Sequence, residues 1–169
     1  MSKLIFRNIV RFILLVLFQV LVFNHINLFG YINPFIYVSW VFLFPVRKSK
    51  SLLLLTSFFL GILIDTFSDT GGIHTAAILI IAYFRLPILE MVMRKTDFDY
   101  VLFNIRNLTL NKLFLFISIL TFIDTFIVFL LDYFNFSDIG SIISNTILTS
   151  IFTILISFFG ILLFTKKHK

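Results

Sequence analysis

The placement of the positive charges decides what this chain can fold into. All fourteen Lys and Arg residues fall into four clusters: Lys3, Arg7 and Arg11; Arg47, Lys48 and Lys50; the stretch from Arg85 to Lys112; and Lys166, Lys167 and Lys169. Three long apolar excursions separate them, free of cations except at the inner end of the fourth apolar segment. In membrane proteins Lys and Arg accumulate in short cytoplasmic loops, so each excursion leaves the cytoplasm and returns. The pattern predicts an even number of crossings, six, with both termini inside.

Composition agrees. The chain is 60% hydrophobic and 13% charged, has 25 Phe among 169 residues and a mean hydropathy of +1.08, far from a soluble average. A formal charge of +6 would point to nucleic acid in a soluble protein. Here the cations flank apolar runs, so they read as topology signals with affinity for anionic lipid headgroups, and no nucleic-acid partner is expected. Cysteine is absent, which excludes disulfides, thiolate zinc sites and cysteine nucleophiles.

The expected fold is an all-α integral membrane bundle of six transmembrane helices in a single domain, residues 1–169, with spans at about 9–27, 34–46, 51–67, 73–93, 113–133 and 139–164. The first follows a basic stretch as a secretory signal would, but Asn24-His25-Ile26-Asn27 offers no small-residue cleavage site, so it reads as an uncleaved anchor. The second is short: Asn33 as cap and Pro34 in the first turn open it and Pro45 closes it. At 1.5 Å per residue it reaches roughly 20 Å against a hydrocarbon core near 30 Å, so its neighbours must shield it or the bilayer must thin beside it. The fourth is expected to run on past a Pro87 kink into an amphipathic helix on the inner leaflet.

Catalysis finds little support. No connection has room for a soluble domain of at least ~50 residues, and there is no GxxxxGK[ST] phosphate loop. His25, His74 and His168 lack metal-ligand spacing with one another, and no intramembrane Ser or His has a nucleophile's pairing. The chain is expected to be no enzyme and to carry no cofactor or metal. A divalent site from Asp65, Asp69 and His74 has suitable ligand types but no fixed spacing.

Polar residues inside apolar spans are costly and therefore informative. Gln19, Asp65, Asp124 and Asn145 with Thr149 fall at similar depth in the outer half of four spans, with Gly61 one turn before Asp65 and His74 just beyond the following turn. Two readings stay open. These groups cap helix ends and bond across helices, or they line an outward-opening pocket or coupling site with Asp65 and Asp124 as its acidic members. On the buried reading, Asp65→Ala is expected to impair function more than Asp138→Ala. In the sixth span Thr146, Ser150, Thr153, Ser157 and Gly160 form a small-residue stripe, which serves internal packing or a partner's single helix. Trp40 reads as packing or an interface anchor. Arg85, Arg94, Lys95 and Arg106 form a basic inner surface on which partners would dock.

A resemblance is carried by Gln19, Asn24, Gly30, Asn33-Pro34-Phe35-Ile36-Tyr37, Pro45, Phe58-Phe59-Leu60-Gly61-Ile62-Leu63-Ile64-Asp65, Gly71-Gly72-Ile73-His74-Thr75-Ala76-Ala77 and Tyr83-Phe84-Arg85. Over about residues 7–95 this order resembles the rod shape-determining protein MreD family. Its specific part is the Gly-xxx-Asp followed by a Gly-Gly-x-His turn; family members often have Pro-Gly where this chain has Gly71-Gly72. The resemblance implies a non-catalytic subunit of the bacterial inner (cytoplasmic) membrane in the cell-elongation machinery. It also implies MreC, RodA, a class B penicillin-binding transpeptidase and the actin-like MreB as partners. The family is similar in fold to the vitamin-binding S-components of energy-coupling-factor transporters, which supplies an alternative function, a small-molecule-binding transporter subunit.

Overall fold

The computed structural model describes residues 2–28, 32–45, 49–93, 108–133 and 139–164, and these are all-α, with six α-helices. They are α1 (Ser2–Phe18), α2 (Ser39–Leu43), α3 (Lys50–Ser68), α4 (Ile73–Met93), α5 (Leu110–Asp132) and α6 (Ile139–Phe164). Five helical stretches are long and apolar enough to cross a membrane: 6–23, 50–68, 73–93, 110–132 and 139–163. Hydrocarbon offers backbone groups no partner, so such apolar runs close their hydrogen bonds internally as helices. The expected inner-leaflet helix and the cations Arg94, Lys95 and Arg106 lie outside the described residues, as does Asp138.

α3, α4, α5 and α6 pack as successive neighbours, while α1 lies at the side against α2 and α3. Ser49 caps α3, its hydroxyl accepting from the Leu52 N–H at 3.3 Å. Asp69 ends α3 in the left-handed region at φ +54°, and Gly71 and Gly72 follow at φ +62° and +102°. Such a reversal favours residues tolerant of positive φ. It folds α4 back on α3, with the Lys50 ammonium 3.5 Å from the centre of the Tyr83 ring at the other end of the pair. α4 continues through Pro87 for 21 residues.

The faces of α6 show how the bundle divides its surface. Thr146, Ser150, Thr153 and Ser157 are buried, whereas Ile139, Ile143, Ile147, Ile151, Leu155 and Phe159 are exposed at steps of four. Hydroxyls face protein and aliphatic groups face outward, as expected where the surroundings are lipid. The small-residue stripe is therefore an internal packing surface, except at Gly160, where an added Cβ would meet nothing within 4 Å.

The second apolar segment departs most from expectation. Over its described residues, 34–45, the helix expected at 34–46 is not one capped helix. Phe35 is non-helical (φ −97°, ψ 73°), Ile36–Val38 make a 3₁₀ turn, and α2 adds only five residues. Asn33 caps nothing there; its side-chain oxygen accepts from the Asn27 N–H at 2.9 Å and so closes the preceding loop. Yet Pro34 to Phe42 is buried throughout. A segment that cannot close its own hydrogen-bond ladder at such depth must be completed by others.

It is completed by side chains from three helices. α1 ends in a π-helical turn, Gln19–Phe23, in which the Asn24 N–H donates to the Gln19 carbonyl at 2.9 Å. Gln19 sits there almost fully buried. Its amide nitrogen donates to the Pro34 carbonyl (3.1 Å), and its amide oxygen accepts from the Tyr37 N–H (3.3 Å). Thr153 of α6 accepts from the Phe35 N–H at 3.0 Å. At the far end the Arg85 guanidinium donates to the carbonyls of Phe42 and Phe44, and Arg11 donates to that of Leu43 at 3.2 Å.

These contacts fix the direction of the segment. It pairs with Gln19 first and Arg11 last, so it runs opposite to α1. It meets Thr153 before Ser157 and His74 before Arg85, so it runs with α6 and α4. α1 and α3 run the same way, since Asn24 donates to Ser68 at one level (2.8 Å), while Phe12 and Thr56 both meet Trp40 at the other. Residues 32–45 are thus the return path between two parallel helices. Trp40 itself is buried, its indole N–H donating to Thr56 at 3.2 Å and its ring edge-on to Phe12 and Phe44.

Candidate functional site

The polar groups concentrate around the α3–α4 turn and the adjoining start of the buried segment. Asp65 lies one turn before the end of α3, and its carboxylate faces the first turn of α4. One oxygen accepts from the Thr70 hydroxyl (2.5 Å) and the His74 N–H (3.0 Å). The other accepts from the Thr75 N–H (2.8 Å) and the Thr75 hydroxyl (2.5 Å). The first N–H groups of a helix lack intrahelical acceptors, and a carboxylate there is favoured both as a partner and by the helix dipole. Asp65 therefore caps α4 from the neighbouring helix. Both oxygens face donors, an environment that suits an anion and repels a cation. Among the described residues no three His, Asp or Glu side chains come together in a way that would hold a metal ion.

Gly61, one turn before Asp65, permits that cap. A Cβ at this position would lie 2.5 Å from the Thr75 Cα and 2.8 Å from its hydroxyl oxygen. Two successive turns of α3 thus address one residue of α4, by contact at Gly61 and by hydrogen bonding at Asp65.

His74 begins a second chain of bonds. Its Nδ1 is 2.9 Å from the Tyr37 hydroxyl, and its ring stands edge-on to Phe35 and Tyr37. The Tyr37 hydroxyl donates to Asp124 Oδ2, also at 2.9 Å. Tyr37 and Asp124 are fully buried, and Asp124 Oδ1 has no hydrogen-bond partner among the described residues. Next to Asp124, the Thr125 hydroxyl pairs with that of Ser150 at 2.6 Å, joining α5 to α6.

No family model, curated protein or solved structure matches this chain. What the site can do is therefore read from its own geometry.

Of the residues marked by sequence, Gln19, Asp65, His74 and Asp124 belong to one connected set, and the connecting residue is Tyr37. Its N–H reaches Gln19 and its hydroxyl reaches both His74 and Asp124, while the His74 backbone reaches Asp65. Asn145 stands apart: its amide donates to the Tyr133 hydroxyl at 2.8 Å near the α5–α6 connection. Thr149 is buried. Arg85 requires a correction. It was expected on an open docking surface but is 2% exposed, drawn inward because the carbonyls of Phe42 and Phe44 have no helical N–H to receive.

Tyr37, Thr75 and Asn24 belong to the pattern that carries the resemblance, but sequence reasoning gave them no place in the site. Tyr37 is one aromatic among many, and its two hydroxyl partners lie 37 and 87 residues away. Thr75 had a signal: a Thr just inside a helix that follows a Gly-Gly turn and a buried Asp. Asn24 links Gln19 (2.9 Å) to Ser68 (2.8 Å), tying the end of α1 to that of α3.

Proposed function

We propose that this chain is a non-catalytic, multi-pass subunit of the bacterial cell-elongation machinery, of the MreD type. It would lie in the cytoplasmic membrane with six crossings, residues 32–45 included, and both termini inside. It would act through contacts with MreC, RodA, the class B penicillin-binding transpeptidase and MreB, in support of peptidoglycan synthesis and cell shape.

One observation carries this reading. The residues most specific to the resemblance, Gly61, Asp65, Gly71, Gly72 and His74, coincide with one physical unit, the joint between α3 and α4. A pattern that maps onto a single mechanical element is better support than the same residues scattered. The polar layer also favours a scaffold over a ligand pocket, because Asp65 and Gln19 are fully engaged by groups of this chain. The apolar outer faces, such as the Ile143 to Phe159 row of α6, leave surface for lipid and for partner helices. The alternative, a vitamin-binding transporter subunit, rests on general architecture alone.

Affinity purification from native membranes tests the choice. Recovery of wall-synthesis subunits, with rod-to-sphere conversion of cells on depletion, is the expected result. Recovery of an energising ATPase pair, or of a tightly bound vitamin, would reverse it.

A further inference from the structure

Asp124 has a chemistry that scaffolding does not use. It is fully buried, and among the described residues one of its oxygens has no partner and the other has only the Tyr37 hydroxyl. An ionised carboxylate so placed is expensive, since low-dielectric surroundings penalise a charge with a single donor. The same hydroxyl contacts His74, which keeps 7% of its surface accessible at the turn end of the bundle. Tyr37 therefore bridges a carboxyl at 0% exposure and a histidine at 7% in the first turn of α4.

We propose that Asp124 is a proton-binding site loaded from the turn end of the bundle through His74 and Tyr37. With the site empty, His74 Nδ1–H donates to the Tyr37 oxygen and the Tyr37 hydroxyl donates to the Asp124 carboxylate. A proton then binds His74 Nε2, giving an imidazolium. The Nδ1 proton passes to the Tyr37 oxygen while the original Tyr37 proton passes to Asp124 Oδ2. One N–H bond forms and one breaks at His74, one O–H bond forms and one breaks at Tyr37, and one O–H bond forms at Asp124. Tyrosine and histidine end neutral, and Asp124 ends as a carboxylic acid. Both 2.9 Å hydrogen bonds persist with their direction reversed, and no heavy atom moves.

The surrounding charges fit this route. The charged groups near His74 are Asp65 on α3 and Asp132 on α5, and those near Tyr37 are Asp124 and Asp65. α1 and α6 bring uncharged groups to this layer, Gln19 and the hydroxyls of Ser150 and Thr153.

Infrared difference spectroscopy of the full chain in lipid vesicles tests the proposal by following the protonated carboxyl stretch between about pH 9 and about pH 5. A band should appear on acidification and be absent in Asp124→Asn. In D₂O its isotope shift should develop at least about tenfold more slowly in Tyr37→Phe, which keeps the ring and removes the relay oxygen. Ser39→Ala, on the same segment but off the relay, should exchange like the unaltered chain. Absence of an Asp124 band at every pH, or equal exchange rates in Tyr37→Phe and the unaltered chain, would overturn it. Should Tyr37→Phe fail to fold, His74→Phe makes the same prediction of slowed exchange, and unslowed exchange there overturns it equally.

Discussion

A single carboxylate, that of Asp65, takes four hydrogen bonds from three residues of the turn and helix that follow it. Replacing it by Ala strands two buried backbone N–H groups at the start of α4. Losing a cap and leaving such donors unmade together cost roughly 2–4 kcal/mol, so Asp65→Ala should lower the melting temperature in detergent clearly. Asp69→Asn, at an exposed position whose backbone conformation Asn also tolerates, should change it little. The sequence could mark Asp65 as polar in an apolar helix but could not choose between cap and pocket, because its partners come from the chain beyond the turn. His74 and Asp124 were legible in the same partial way. Their link was not, since Tyr37 carries no local sign of its role.

Elements in this protein were legible in proportion to how far they stabilise themselves. α3 to α6 are long apolar runs that satisfy their own backbones, and their expected limits lie close to those observed. The helix expected at 34–46 is instead a 3₁₀ turn followed by five residues of α-helix, because its backbone is completed by Gln19, Thr153, Arg11 and Arg85, residues that no local pattern connects to it. Gln19→Leu removes both the donor to Pro34 and the acceptor from Tyr37. It should destabilise the fold by roughly 2–4 kcal/mol, with two buried groups left unmade, as followed by unfolding in mixed micelles. Gly61→Ala tests the neighbouring contact. Its Cβ would sit 2.5 Å from backbone of α4, so the helices must part at a cost of about 1–3 kcal/mol. Gly160→Ala, where nothing lies within 4 Å, should be neutral by the same assay.

At the scale of the whole molecule, the parallel course of α1 and α3 makes the short buried segment a return through the bundle. Together with the proposed cytoplasmic placement of the cations, this gives a checkable topology. The chain has no cysteine, so single reporters can be introduced without removing others. Ile26→Cys should react with an impermeant thiol reagent in intact cells, and Thr109→Cys only after permeabilisation; the reverse pattern would refute the assignment. The buried segment also carries a consequence for biogenesis. Phe35 waits for a hydroxyl 118 residues further along the chain, so while a ribosome is still delivering α3 to α5, this part of the protein has no settled home. The backbone of the segment is therefore fully paired only once α6 has been delivered.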